Sequence, residues 1–353
     1  MKHVAPDAIE NFARDIFRSL QCPRSLSQPV IEGLIETALR GVDSHGIRLI
    51  PHYAEAVLIG RINISPQWKF RKTSSVTGLL DADHTFGIAA AQLAMQKSIQ
   101  LAKRAGIGCT VVYNSTHFGA AAIYSLMAAR EDMLGLSLTN TDALVLPHAS
   151  RKKFLGTNPI CFAAPCAGEE PFCLDMSTSM ISWNNLRRHR RAGKWLQNGW
   201  AADKKGRMTR DPFQAYGLLP IGGYKGFGLG LVVEILCSLL AGMPYGRHIS
   251  EMYPLNKKKR RLAHFLMAID VGKFQEISAF KRRMKKFLTE IRSLPPASGH
   301  DRVRVANDIE KEFFRERSKK GIPFTKADVL SFRRAGENLQ LDFRKHSFLN
   351  AYN

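Results

Sequence analysis

Gly222-Gly223-Tyr224-Lys225-Gly226-Phe227-Gly228-Leu229-Gly230 sets five glycines around one lysine, and the largely apolar run Leu231 to Leu240 follows at once. Glycine reaches positive φ freely and lets a ligand approach without a Cβ in the way. A helix start beyond such a loop offers free N–H groups and a partial positive charge to a phosphate. Lys225 adds a full charge. Neither common nucleotide signature fits, however. Walker A needs Ser or Thr after the lysine, and Gly226 stands there. The dinucleotide fingerprint Gly-x-Gly-x-x-Gly finds Leu231 in place of its third glycine. By itself the stretch reads equally well as a tight turn leading into a buried helix over Leu231 to Leu240.

Working outward, the pattern is that of an α/β protein. Ile9, Phe12, Ala13, Ile16, Phe17 and Leu20 recur at helical spacing. A second helix starts near Ser27 with Pro29 in its first turn, and a third runs from Pro51 to Leu58. Strands at Val76–Leu80, Ile107–Tyr113, Met133–Leu138, Pro159–Pro165, Phe172–Leu174 and Leu262–Ile269 then alternate with helices at Ala89–Ala105 and Ala120–Arg130. Residues 308–353 are charged and helical without strand signals. The spacing predicts an α/β domain over residues 76–305. A helical domain of residues 1–75, joined by 306–353, would complete the chain.

The 353 residues carry a net charge of +22. Residues 1–252 hold 28 Lys+Arg against 19 Asp+Glu, and residues 253–353 hold 24 against 11, so +13 lies in the C-terminal part. Lys257-Lys258-Lys259-Arg260-Arg261 and Lys281-Arg282-Arg283 lack interleaved aromatics. They read as solvated basic faces that attract anionic small molecules, not as a nucleic-acid site. No apolar run reaches membrane-spanning length, and Met1 to Asp7 lacks the apolar core of a signal peptide. Six scattered cysteines without Cys-x-x-Cys read as reduced thiols in a cytoplasmic protein and not as a metal site.

Chemistry-bearing residues gather where α/β folds bind ligands, at strand ends. His117 follows the strand ending at Tyr113, inside Asn114-Ser115-Thr116-His117-Phe118-Gly119. His45 follows the second helix in Asp43-Ser44-His45-Gly46, with Arg48 three residues on. Thr141 and Asp142 follow the strand ending at Leu138, and Asp175-Met176-Ser177 follows Leu174. A histidine titrates near neutrality and moves protons. No Gly-x-Ser-x-Gly, no His-Glu-x-x-His and no metal-spaced carboxylate cluster occurs. Metal-free proton or hydride chemistry fits this set better than hydrolysis, with His45 and His117 on the proton and Lys225 on an anionic group.

Five motifs in order, Asp43-Ser44-His45-Gly46, Asn114 to Ala120, Gly156-Thr157-Asn158-Pro159, Leu174-Asp175-Met176-Ser177 and Gly223-Tyr224-Lys225-Gly226, resemble the malate/L-lactate dehydrogenase family. The likeness runs to about residue 325. Asp211-Pro212-Phe213 through Tyr245-Gly246-Arg247 to Met252-Tyr253 is most similar to its ureidoglycolate-oxidising branch. The resemblance implies a non-Rossmann NAD(P)-binding α/β fold and a homodimer with the cofactor, NAD or NADP, in a cleft near the subunit interface. It implies hydride transfer between that cofactor and a small anionic 2-oxo/2-hydroxy acid of the malate, lactate or ureidoglycolate type. Thr141, Asp175, Met176, Ser177, Lys225 and the segment Asn307-Asp308-Ile309 would contact the cofactor. His117 or His45 would exchange the proton, with Asp142 orienting a histidine, and Arg48 would hold the substrate carboxylate. Four residues after the first histidine the family carries an arginine, where this chain has Leu49. Asn184-Asn185 stands for the usual Gly-Lys, and Ala306-Asn307 for Pro-Gly. Arg187-Arg188-His189-Arg190-Arg191 reads either as a grip for a 2′-phosphate or as a solvated run. The missing arginine keeps open a reductase of a cyclic imine or a sugar-derived keto compound. The charge keeps open a non-catalytic basic protein on the same fold.

Overall fold

Apolar spacing in the first sixty residues does form helices, because one stripe of each can be buried against the next. The computed structural model describes residues 2–350. A short strand β1 (Lys2–Val4) precedes α1 (Pro6–Ser19), α2 (Arg24–Leu39) and α3 (Ile50–Leu58). The chain continues through β2 (Lys69–Lys72), β3 (Thr77–Asp81), α4 (Gly87–Ala105), β4 (Ile107–Ser115), α5 (Ala122–Arg130), β5 (Met133–Thr139), β6 (Ile160–Ala164) and β7 (Phe172–Met176). A lobe of α6 (Trp183–Ala192), β8 (Ala201–Ala202), β9 (Met208–Thr209) and β10 (Gly217–Leu218) follows, then α7 (Tyr224–Glu234) and β11 (Leu262–Asp270). The chain closes with α8 (Ile277–Arg292), α9 (Asp308–Lys320), β12 (Ile322–Phe324) and α10 (Lys326–Asn338).

The central sheet has the order β2-β3-β4-β11-β5-β6-β7. Only β3 and β4 run parallel, and every other neighbouring pair is antiparallel. The pairing of β11 between β4 and β5 is what builds the site. It sets Leu262 opposite Ser115 and His264 opposite Thr139, so the start of β11 meets the ends of β4 and β5.

Small residues of α4 and α5, including Ala90, Ala94, Ala128 and Ala129, pack on one sheet face with Leu80, Val112 and Leu266. The other face carries Val111, Leu138 and Phe265 against Val233 and Cys237. A separate core joins α1, α2 and α3 to β12 and α10, with Phe12, Phe17, Phe324 and Phe332 at its centre.

Three expectations are corrected. The C-terminal region does contain a strand. β12 is only three residues long, too short to show a period, and pairs antiparallel with β1. The second helix starts at Arg24, since Pro29 is tolerated within its first turns. The segment Leu231 to Leu240 is helical, passing from α7 into a π-turn over Ile235–Leu239, but is buried on one side only. Val233 and Cys237 face the sheet, whereas Val232, Ile235, Leu239 and Leu240 are each about half exposed. Periodicity could not separate these faces, because both are apolar.

Candidate active site

One cavity of about 540 Å³ opens where the ends of β4, β5 and β7, the α2–α3 connection and the 305–310 segment converge. His45, His117, Thr141, Asp142, Asp175, Met176, Ser177, Asn307 and Ile309 all line it. Residues scattered over 260 positions of sequence thus share one space.

The two histidines stack, with ring centroids 5.6 Å apart and planes 20° from parallel. The hydroxyl of Tyr53, on α3, lies 2.8 Å from Nδ1 of His117. Gly119 N–H reaches the same nitrogen at 3.4 Å. Ser44 Oγ lies 2.8 Å from Nδ1 of His45. Both rings are half-buried at the cavity wall. Desolvation pulls His45 down to about 4. Desolvation, then the nearby His45 and Arg260, hold His117 well below 6.5. Both rings are therefore neutral at pH 7, the form that accepts a proton. The phenol of Tyr53 both donates and accepts, so it supports either tautomer of His117.

Behind them His264 is fully buried between Thr139 Oγ1 and Ser115 Oγ, each at 2.7 Å, and stacks on Phe118. Desolvation drives it down to about 3. It is a satisfied core histidine that fixes the wall carrying His117.

Asp142 does not orient a histidine. Its carboxylate is held by Arg260, and both are almost fully buried. Arg260 is the residue sequence reasoning missed, since it sat within a run of five basic residues. Nη2 of Arg260 bonds Asp142, while Nε and Nη1 are buried without a partner. Arg260 lines the cavity, and its charge adds to the desolvation that lowers His52 and His117. No feature of a single sequence distinguishes it from Lys259 or Arg261. Only the β4–β11 pairing, which places Leu262 beside Ser115, does so.

Arg48 is directed elsewhere. It bonds both oxygens of Asp328, at 2.8 and 3.1 Å, and pairs with Asp43 at 3.2 Å, outside the cavity lining. Moving the arginine from position 49 to 48 rotates its side chain by about 100°, into a nest of acids. Asp308 is likewise turned away. Its carboxylate takes Arg292 and the Val305 N–H, while Asn307 and Ile309 face the cavity. Lys225 is exposed beyond the lining residues.

The turns beside the cavity are held by buried polar bonds. Asn158 Oδ1 accepts Thr141 N–H at 3.2 Å, and its Nδ2 donates to Gly230 O and Glu234. Glu234 also takes Gly246 N–H and Asn140. A Cβ on Gly156 would lie 2.1 Å from Thr141 Oγ1, so the loop needs glycine there.

The cavity's chemistry fits a dinucleotide. Asp175 faces open space though protein surrounds it, and desolvation lifts its carboxyl to about 6. Its carboxylate, with the hydroxyls of Thr141 and Ser177, suits ribose hydroxyls. Leu144, Ile123, Pro159 and Met176 give an apolar wall for a ring.

The model of the malate/L-lactate dehydrogenase family matches residues 4–331. The chain belongs to that family. It is 36% identical over 333 residues to a malate dehydrogenase of Pyrococcus abyssi, covering 92% of this chain and 91% of that one. It is 31% identical over 280 residues to ureidoglycolate dehydrogenase of Escherichia coli O157:H7, covering 79% and 80%. The crystal structure of malate dehydrogenase from Entamoeba histolytica superimposes with a TM-score of 0.92 at 30% identity, covering 97% and 99%. The sheet order described above is thus shared with a member of the malate/L-lactate dehydrogenase family along almost the whole chain.

Proposed function

We propose that this protein is an NAD(P)-dependent dehydrogenase that interconverts a small 2-hydroxy acid and its 2-oxo acid. The carrying observation is Arg260, which lines the same cavity as His45 and His117 and whose Nε and Nη1 are buried without a partner among the described residues. Unsatisfied buried donors cost free energy, and a carboxylate oxygen is a strong charge-assisted acceptor for them. Asp142 balances the guanidinium charge and leaves those donors to the substrate.

When bound, the nicotinamide supplies the hydride acceptor or donor. Asp175, Thr141, Ser177, Asn307 and Ile309 hold the cofactor on a non-Rossmann scaffold. Ile221 N–H bonds Thr178 O at 3.0 Å, which brings the loop carrying Lys225 beside Ser177. Lys225 would hold the cofactor's phosphates from outside the cavity lining. His117 would take the carbinol proton at Nε2 and become imidazolium, with Nδ1–H donating to the Tyr53 oxygen in place of accepting from Gly119, and the same imidazolium would return the proton from Nε2 in the other direction. His45, stacked against His117, would exclude water from that ring, whose burial keeps it neutral.

A two-domain division near residues 75 and 306 is supported by the helical core of α1, α2, α3, β12 and α10, although Phe86, Ile88 and Ala89 at the start of α4 also enter that core. The exposed apolar side of α7 supports a homodimer. Ile235→Glu with Leu239→Glu would convert it to monomer, read by light scattering. Six free cysteines suit a reducing cytoplasm. Reduction of a panel of 2-oxo acids with NADH and NADPH tests the reading, and failure to bind either cofactor would sink it.

A further inference from the structure

Lys153 lines the cavity and has no role in the site described so far. The other two cations there are neutralised. Arg40 pairs with Glu36 and Glu170, and Arg260 with Asp142. Lys153 has no hydrogen bond or ion pair among the described residues. Its Nζ sits 5.6 Å from the ring centroid of Trp183 and 4.9 Å from that of Tyr216. Two aromatic faces attract and orient an ammonium, but no oxygen or nitrogen acceptor among the described residues meets its N–H donors. The stem is fixed as well. A Cβ on Gly217 would lie 3.0 Å from Lys153 Cγ, so the side chain packs directly on a glycine backbone.

Contiguous contacts join this cradle to the histidine wall. Trp183 adjoins Asn184, whose Nδ2 donates to the Ser44 carbonyl at 3.2 Å. Ser44 Oγ in turn meets His45 Nδ1. The cavity lining therefore carries two cations with donors that no described residue meets, Arg260 and Lys153. One carboxylate satisfies the first of these only.

We infer that Lys153 is a specificity-determining residue that binds a second anionic group of the substrate. That group is a carboxylate or sulfonate at the far end of a 2-oxo or 2-hydroxy acid whose first carboxylate lies on Arg260. The inference rests on the function proposed above.

Lys153→Met and Lys153→Arg test it, with kcat/KM measured for oxaloacetate and for pyruvate and NADH and NADPH affinities read by fluorescence. Losing a charge-assisted contact predicts about 10- to 100-fold lower kcat/KM for oxaloacetate in Lys153→Met, chiefly through KM, and under about threefold for pyruvate. Lys153→Arg keeps most of the preference, because a cation remains in the cradle. Equal losses on both acids overturn the inference. So does weaker cofactor binding with the acid preference unchanged, which assigns Lys153 to a cofactor phosphate. Should Lys153→Met fail to fold by circular dichroism, Lys153→Gln carries the same comparison. A wild-type protein that reduces neither acid defeats the function itself. One that reduces both places only Lys153 at stake.

Discussion

The cavity wall and the outer edge of α7 treat their charged residues in opposite ways. At the wall, His117, His264 and Arg260 are held together by β4, β5 and β11, and Nε and Nη1 of Arg260 have no partner among the described residues. At the edge, Lys225 and the apolar residues Val232, Ile235 and Leu239 stand open to solvent. The wall has the low dielectric that shifts proton affinities and strengthens hydrogen bonds. The edge offers only a screened charge and a surface awaiting cover. The function proposed above accordingly gives chemistry to the wall, and grip and assembly to the edge.

The largest expected effect sits on the wall. His117→Ala lowers kcat by about 10²- to 10⁴-fold, as loss of a general base does. The same loss from His45→Ala, with His117→Ala near normal, would exchange their roles. Arg260→Met comes next, at about 10²-fold in kcat/KM carried mainly by KM, since it removes the carboxylate's partner and strands Asp142. Cofactor affinity, measured by fluorescence, stays unchanged in that variant.

His264 tests how rigid and dry the wall is. Its folded pKa is pushed down to about 3 from the ordinary 6.5. Above pH 6.5 neither the folded nor the unfolded chain protonates it. Below, the unfolded chain binds the proton and the folded chain does not, so stability falls as pH falls. The slope is about 1.4 kcal/mol per pH unit, or about 2 kcal/mol by pH 5. In His264→Gln, urea unfolding at pH 7 and pH 5 shows the wild-type difference reduced by that amount. An unchanged difference would mean that water reaches the ring.

The edge gives the smallest effect. Lys225→Ala weakens cofactor binding by about tenfold, the scale of one exposed charge-assisted contact. It leaves kcat near wild type and loses its influence at high salt. A large fall in kcat would move Lys225 into the wall's company.

Much of this contrast was legible in the sequence where local rules act. His117 after an apolar strand, Asp175 after another and His45 at a helix end all reach the cavity, because strand and helix ends converge there. Residues whose place depends on pairing were not legible. Arg260 was hidden in a basic run until β11 set it beside the ends of β4 and β5, and β12 was too short to announce itself. Arg48 misled, because a single-position shift changes direction without changing composition, and the acids that capture it, Asp43 and Asp328, are 285 residues apart in sequence. The run Leu231 to Leu240 misled for the complementary reason, since hydropathy does not tell a buried apolar face from an exposed one.

NADH oxidation followed through the nicotinamide absorbance band, with wild type and Arg260→Met titrated side by side with oxaloacetate, tests the central claim most directly. The account predicts saturable turnover in wild type, and equal NADH affinity with a KM raised beyond the accessible range in the variant. An unchanged KM in Arg260→Met, or a wild type that binds neither NADH nor NADPH, would contradict it.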